Sequence, residues 1–174
     1  GWHLGPYDAN DEYRIDENGL MLDAVAAGAP FSFSGDIVLT VVFDLFANSA
    51  NPIKDLSFVL SSTPQHLYFA FNNLCVPGEE LFYFVDNSYA DRIEYPGAVP
   101  NIRYTGHNTL VLQKRAGRFK VELNGAVLLD EPFSLYDAEF STPRIGAISS
   151  DGTGYVLFKI IRVQYSGEAI PAAV

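Results

Sequence analysis

Residues 106–130, GHNTLVLQKRAGRFKVELNGAVLLD, constrain the fold more than any other part of the chain. Leu110 and Leu112 alternate with Thr109, Val111 and Gln113, the period of two of a strand with one buried face. Residues 114–118 break the alternation, and Gly117 supplies the positive φ that a short hairpin loop needs. Phe119, Val121 and Leu123 then alternate with Lys120 and Glu122. Asn124-Gly125 follows, the residue pair best suited to a type I′ turn, in which both central residues have φ > 0. Residues 127–129 return as a third strand. With ~2–5 residues per connection, neighbouring strands must pair antiparallel, so this stretch is a β-meander.

The rest of the chain repeats the theme. Residues 37–46, IVLTVVFDLF, form a nearly continuous apolar run whose β-branched content and length suit a central strand. Leu56, Phe58 and Leu60 alternate in a further strand, and residues 67–71 and 81–86 make two more. A short strand is expected at 92–95 inside an irregular segment, 87–104. Residues 145–149 and 155–165, separated by Ser150-Asp151-Gly152-Thr153-Gly154, are expected to form a final hairpin. Residues 1–18 look polar and irregular, with the first strand at Leu20, Leu22 and Ala24. Residues 170–174 look frayed.

This makes about eleven to thirteen short strands and no helix longer than a turn or two. So many strands normally divide into two packed layers, and no fixed-period repeat points to a propeller or solenoid. The expectation is an all-β, two-sheet antiparallel β-sandwich of jelly-roll type, one domain over residues 1–174.

Composition narrows the partners. The formal net charge of −10 repels phosphate backbones and anionic membrane surfaces, which argues against nucleic acid and against membrane association. No apolar run approaches the ~20 residues of a membrane span. Cys75 is the single cysteine, so no internal disulfide forms, and its apolar flanks read as those of an inert thiol. A start at Gly1-Trp2 suggests a processed or excised domain of a larger protein, expected to be extracellular or secreted in the bacterial manner.

Catalytic signatures do not emerge. The acidic pairs Asp16-Glu17, Glu79-Glu80 and Asp130-Glu131 are adjacent residues at strand ends, so their side chains point to opposite faces and cannot work together on one glycosidic bond. His3, His66 and His107 lack a nucleophile elbow and zinc spacing, and His107 reads as a structural residue at a strand start. Asp8, Asn10 and Asp11 in one loop and Asp151 in another cluster oxygen ligands of the kind calcium takes, so a structural calcium ion is a candidate.

Aromatic residues are the stronger signal. Trp2, Tyr68, Tyr83, Tyr89, Tyr95 and Tyr104 are interleaved with Asn87, Asp91, Arg92, Asn101, Arg103 and Gln113. Sugar rings offer apolar C–H faces to such aromatics and hydroxyls to such planar polar groups. If Leu67, Phe69 and Phe71 face the core, Tyr68 faces out, and Phe82 and Phe84 likewise leave Tyr83 outside. An outer sheet face carrying Tyr68, Tyr83 and Gln113, rimmed by Asn87, Tyr89, Asp91 and Arg92 and completed by His66, is therefore the candidate ligand site. The competing reading makes these tyrosines ordinary strand residues half-covered by loops.

The run from His107 through Asn124-Gly125 resembles the central hairpins of the concanavalin A-like lectin and glucanase superfamily, including laminin G-like domains and carbohydrate-binding modules. Gly35-Asp36-Ile37 with Leu39, and Arg144-Ile145-Gly146 followed by residues 156–163, are similar to the early and closing strands of those folds. The resemblance implies a jelly roll and a sugar ligand. Its glucanase members carry a carboxylate run that is missing here, so the implied function is a non-catalytic carbohydrate-binding module or lectin-like domain for an oligo- or polysaccharide. Two alternatives stay open: a sandwich-fold enzyme, glucanase-like or resembling the keto-disaccharide hydrolases, and a laminin G-like adhesion domain.

Overall fold

The computed structural model describes residues 2–6, 12–23, 25–61, 66–132, 141–149 and 154–172. Its strands run β1 (His3–Pro6), β2 (Glu12–Asp16), β3 (Gly19–Asp23), β4 (Val25–Gly28), β5 (Phe31–Phe33), β6 (Ile37–Phe46), β7 (Ile53–Ser61) and β8 (His66–Leu74). They continue as β9 (Leu81–Asn87), β10 (Ile93–Pro96), β11 (His107–Arg115), β12 (Arg118–Leu123), β13 (Ala126–Pro132), β14 (Arg144–Ser149), β15 (Tyr155–Tyr165) and β16 (Ala169–Pro171). A 3-10 turn at Tyr89–Asp91 is the helical element among the described residues.

The meander forms as its turns require. Arg115 pairs with Arg118 around Ala116 and Gly117, whose φ values of 49° and 73° close a two-residue turn. Leu123 pairs with Ala126 around Asn124 and Gly125, at 51° and 83°. β6, the apolar run, lies between β11 and β15 at the middle of a seven-stranded sheet ordered β13-β12-β11-β6-β15-β3-β2. A second seven-stranded sheet is ordered β1-β4-β14-β7-β8-β9-β10, and β16 pairs with β5 beside them. They are called below the β6 sheet and the β8 sheet. Every pairing between strands is antiparallel.

Rings from the two sheets meet between the layers. Phe84 of β9 stacks on Phe119 of β12, centroids 5.0 Å apart and 14° from parallel. Phe43 of β6 packs on Phe58 of β7 at 5.9 Å, and both are fully buried. Each such ring contributes roughly 1.5–3 kcal/mol through burial alone, which explains why the period-two apolar positions decide which face of each strand turns inward.

The chain departs from its sequence reading in three places. Residues 144–149 and 155–165 are not a hairpin: β14 pairs with β4 and β7 in the β8 sheet, while β15 pairs with β3 and β6 in the other. Glycines between two strand patterns carry no information on whether the second strand stays in the same layer as the first. The polar N-terminal segment contains two strands, β1 and β2, each at a sheet edge where one side has no strand partner to demand a strong apolar pattern. The C-terminal tail is also a strand: β16 pairs Ala169–Pro171 with Phe31–Phe33.

Candidate functional site

The outward face of the β8 sheet follows from parity. Inward Leu56 and Phe58 of β7, Phe69 and Phe71 of β8, and Phe82 and Phe84 of β9 leave Asp55 and Ser57, Tyr68, Ala70 and Asn72, and Leu81, Tyr83 and Val85 on the opposite face. Register sets these residues in rows. Asp55, Asn72 and Leu81 lie in one, and Ser57, Ala70 and Tyr83 in the next. A third row holds Val59, Tyr68 and Val85.

Tyr83 does not stand out from this face. It is only 3% exposed, and its hydroxyl donates to Asp55 Oδ2 at 3.0 Å, reaching from β9 across β8 to β7. Ala70, the small residue on the intervening strand, is fully covered. Tyr68 meets the Tyr83 ring edge-on at 6.0 Å and 79°, and Tyr89 does so at 6.0 Å and 88°. Ala70, Tyr83 and Val85 thus form a second apolar cluster outside the main core, with Tyr68 and Leu81 packed against it.

Arg92 completes the rim. Its guanidinium lies 4.4 Å from the Tyr89 ring centroid and 5.9 Å from that of Tyr83, close enough for cation–π attraction to both. Its Nε donates to Glu94 Oε1 at 2.6 Å, and its Nη1 reaches the Tyr89 carbonyl. The 3-10 turn that carries Tyr89 is capped by Ser88, whose Oγ accepts from the Ala90 amide at 3.3 Å. Asn87, at φ 90°, turns the chain into it. Tyr89 is held in this way yet stays 50% exposed, the open ring of the cluster.

Burial controls the protonation of these groups. It raises the Asp55 carboxyl above its ordinary value, and donors from Tyr83, Ser57 and Asn72 offset part of that rise. It also pushes Tyr68 up to about 12 and Tyr83 well above the ordinary phenol range. Both phenols therefore keep their protons at neutral pH and act as hydrogen-bond donors.

The structure gathers most of the residues expected at the site. Tyr68, Tyr83, Asn87, Tyr89, Asp91 and Arg92 share one side of the β8 sheet and its rim, and His66 takes the register position opposite Asn87. Gln113 does not join them. It lies on β11, paired with Val38 and Lys120 in the β6 sheet, on the other layer of the sandwich. Tyr83 faces the expected side but is covered, because Tyr68, Tyr89 and Arg92 close over it. Tyr104, Asn101 and Arg103 lie on the connection from β10 to β11. His107 pairs through Nδ1 with Asp44 at 2.5 Å on the β6 sheet, and Lys159 approaches the same carboxylate at 3.8 Å.

Asp55 is the member of the cluster that sequence reasoning missed. The signal was available: with Leu56 and Phe58 inward, Asp55 must face outward on a strand next to Tyr68. Of metal sites, no group of three His, Cys, Asp or Glu capable of holding an ion occurs among the described residues. The calcium candidates Asp8, Asn10, Asp11 and Asp151 lie outside them.

With this geometry in hand, known proteins give the architecture its context. No family model matches the sequence, and no curated protein matches it significantly. Solved structures do match in fold. A legume lectin-like domain from Entamoeba histolytica superposes with a TM-score of 0.68 at 8% identity, over 95% of this chain and 90% of that one. An alginate lyase from Pseudomonas aeruginosa gives 0.63 at 13% identity, over 92% and 88%. A carbohydrate-binding module from Bacillus subtilis gives 0.60 at 14%, over 94% and 95%. The fold is the concanavalin A-like jelly-roll sandwich. At these identities the shared feature is the fold, and the matched proteins include a binding module, a lectin-like domain and an alginate lyase.

Proposed function

We propose that this chain is a carbohydrate-binding domain that holds an oligo- or polysaccharide against the outward face of the β8 sheet without cleaving it. The observation that carries this reading is the tyrosine cluster, in which a half-exposed Tyr89 is fixed by Arg92 and by the covered Tyr83. A rigid ring with an open face suits the C–H side of a sugar, and Glu94, Asn87 and Asn72 stand nearby for its hydroxyls. On this reading the chain is a secreted part of a larger protein, and its acidic charge keeps it from nucleic acid and membranes.

Three features favour binding over hydrolysis. Asp55 on β7 and Glu94 on β10 stand on strands three apart in the sheet, with the Tyr83 side chain between them. Each is also engaged already, Asp55 by Tyr83 and Glu94 by Arg92. Tyr68 and Tyr83, whose protons burial holds in place, make poor bases.

Affinity electrophoresis through gels cast with a panel of polysaccharides tests the proposal. At least one polysaccharide is expected to retard the wild-type chain. Tyr89→Ala is expected to weaken that retardation roughly tenfold in apparent affinity while the chain still unfolds in one cooperative transition. Retardation that survives Tyr89→Ala unchanged, or no retardation on any gel, overturns it.

A further inference from the structure

Three connections meet at one end of the sandwich: the β6–β7 turn, the β8–β9 turn and the loop from β10 to β11. Between them lies a cleft of about 570 Å³, walled by Ala47, Pro77 and Ala98 and edged by Asn48, Glu80 and Tyr104. That volume is typical of a small-molecule pocket, and a mainly apolar wall with a few convergent polar groups is the usual composition of one.

The polar edge is held from within the protein. Both the Tyr104 hydroxyl and the Cys75 amide, the latter at 2.9 Å, donate to one oxygen of Glu80, Oε1. The second oxygen, Oε2, has no protein partner among the described residues. No Lys or Arg lines the cleft, so the carboxylate has no neutralising cation there. Burial and the Glu80 hydrogen bond raise the Tyr104 hydroxyl, which keeps its proton and stays a donor.

The loop bearing Tyr104 is also fixed in advance. The buried Asn108 side chain accepts from the Arg103 amide and donates to the Arg103 carbonyl, both at 2.8 Å. Asn124, in the tight turn of the meander, donates to the Asn101 carbonyl at 2.7 Å and to Asn108 Oδ1 at 3.0 Å. The Gly97 amide donates to the Glu80 carbonyl at 2.8 Å, tying the loop to the residue just before β9. A site whose walls are ordered before binding spends little affinity on ordering them.

We propose that this cleft is a second ligand site, separate from the tyrosine face, and that it takes one neutral sugar ring. Tyr104 offers its ring to the C–H face, and Glu80 Oε2 accepts from a ring hydroxyl, with Asn48 and Thr105 at the margin. Carboxylated sugars are excluded, because a second carboxylate would meet Glu80 with no cation between them. The inference stands on the cleft alone and does not depend on the face proposed above.

The test is a titration of the isotope-labelled chain with methyl glycosides of glucose, galactose, mannose and N-acetylglucosamine, with methyl glucuronide and methylammonium as comparisons. Amide shifts are followed at Cys75, Glu80 and Thr105. At least one neutral glycoside is expected to move these amides, the glucuronide and methylammonium to bind at least tenfold more weakly, and Glu80→Gln to weaken the neutral sugar roughly tenfold. Tyr104→Phe, which keeps the ring, is expected to retain a measurable shift at Thr105. Tyr89→Ala is expected to leave all of these shifts in place, so failure here and failure at the tyrosine face are read separately. No neutral glycoside moving these amides, a glucuronide or amine binding as tightly, or Glu80→Gln without effect each overturns the proposal.

Discussion

The hydroxyl of Tyr83 donates to Asp55 across an intervening strand, 3.0 Å between atoms that belong to β9 and β7. The bond ties three strands together from outside the core and keeps a partly desolvated carboxyl supplied with a donor. Tyr83→Phe removes that donor and is expected to cost about 1–3 kcal/mol in urea unfolding.

Asp55 carries a pH signature. Burial raises its folded pKa above the ordinary 3.8, so the folded state holds the proton more tightly than the unfolded chain. Its contribution to stability is therefore fully present below pH 3.8 and is lost as pH rises through the folded value. Asp55→Asn lacks that loss. The urea midpoint of the variant, relative to wild type, is expected to climb as pH rises above 3.8. A relative midpoint that falls over this range contradicts the dominance of burial.

Phe119 is the inter-sheet counterpart. Fully buried and stacked on Phe84, it fills space that neither sheet can close alone. Phe119→Ala is expected to destabilise by about 3–5 kcal/mol by calorimetry or denaturant, and Phe119→Leu by clearly less.

Gly19 is irreplaceable for a different reason. Its φ is +137°, and a Cβ there would sit 2.3 Å from the Phe158 carbonyl oxygen. Gly19→Ala is expected to separate β3 from β15 locally, read as faster hydrogen exchange at the amides of residues 20–22 and as a lower melting temperature.

Asn124 serves both its turn and the loop beside it. Asn124→Gly keeps a residue that accepts φ 51° but deletes the bonds to Asn101, Asn108 and the Thr109 amide. The hairpin is expected to persist while exchange at Thr109 accelerates, with a stability loss of about 1–3 kcal/mol.

These residues also mark what a sequence can and cannot reveal. Alternation of Leu110 with Val111, or of Phe82 with Tyr83, identifies inward and outward faces because side chains in a strand have a period of two. Asn124-Gly125 reveals its turn because few other residues accept that backbone. Nothing in a period of two says which layer a strand joins. Gln113 and Tyr68 are both outward, yet on opposite sheets, and the same silence made β14 and β15 look like a hairpin. Nor does parity reveal cover: Tyr83 faces outward but is closed over by Tyr68, Tyr89 and Arg92, which approach from other strands and from the 3-10 turn. Edge strands β1, β2 and β16 carry weak patterns because one side of each has no strand partner.

The central claim, that a glycan lies on the tyrosine face of the β8 sheet, is tested most directly by mapping amide shifts during titration with whichever polysaccharide retards the chain, cut to oligosaccharides. The account predicts that the largest shifts fall on Tyr68, Ala70, Tyr83, Tyr89 and Arg92. Shifts confined to Thr109, Val111 and Gln113 on the β6 sheet would contradict it.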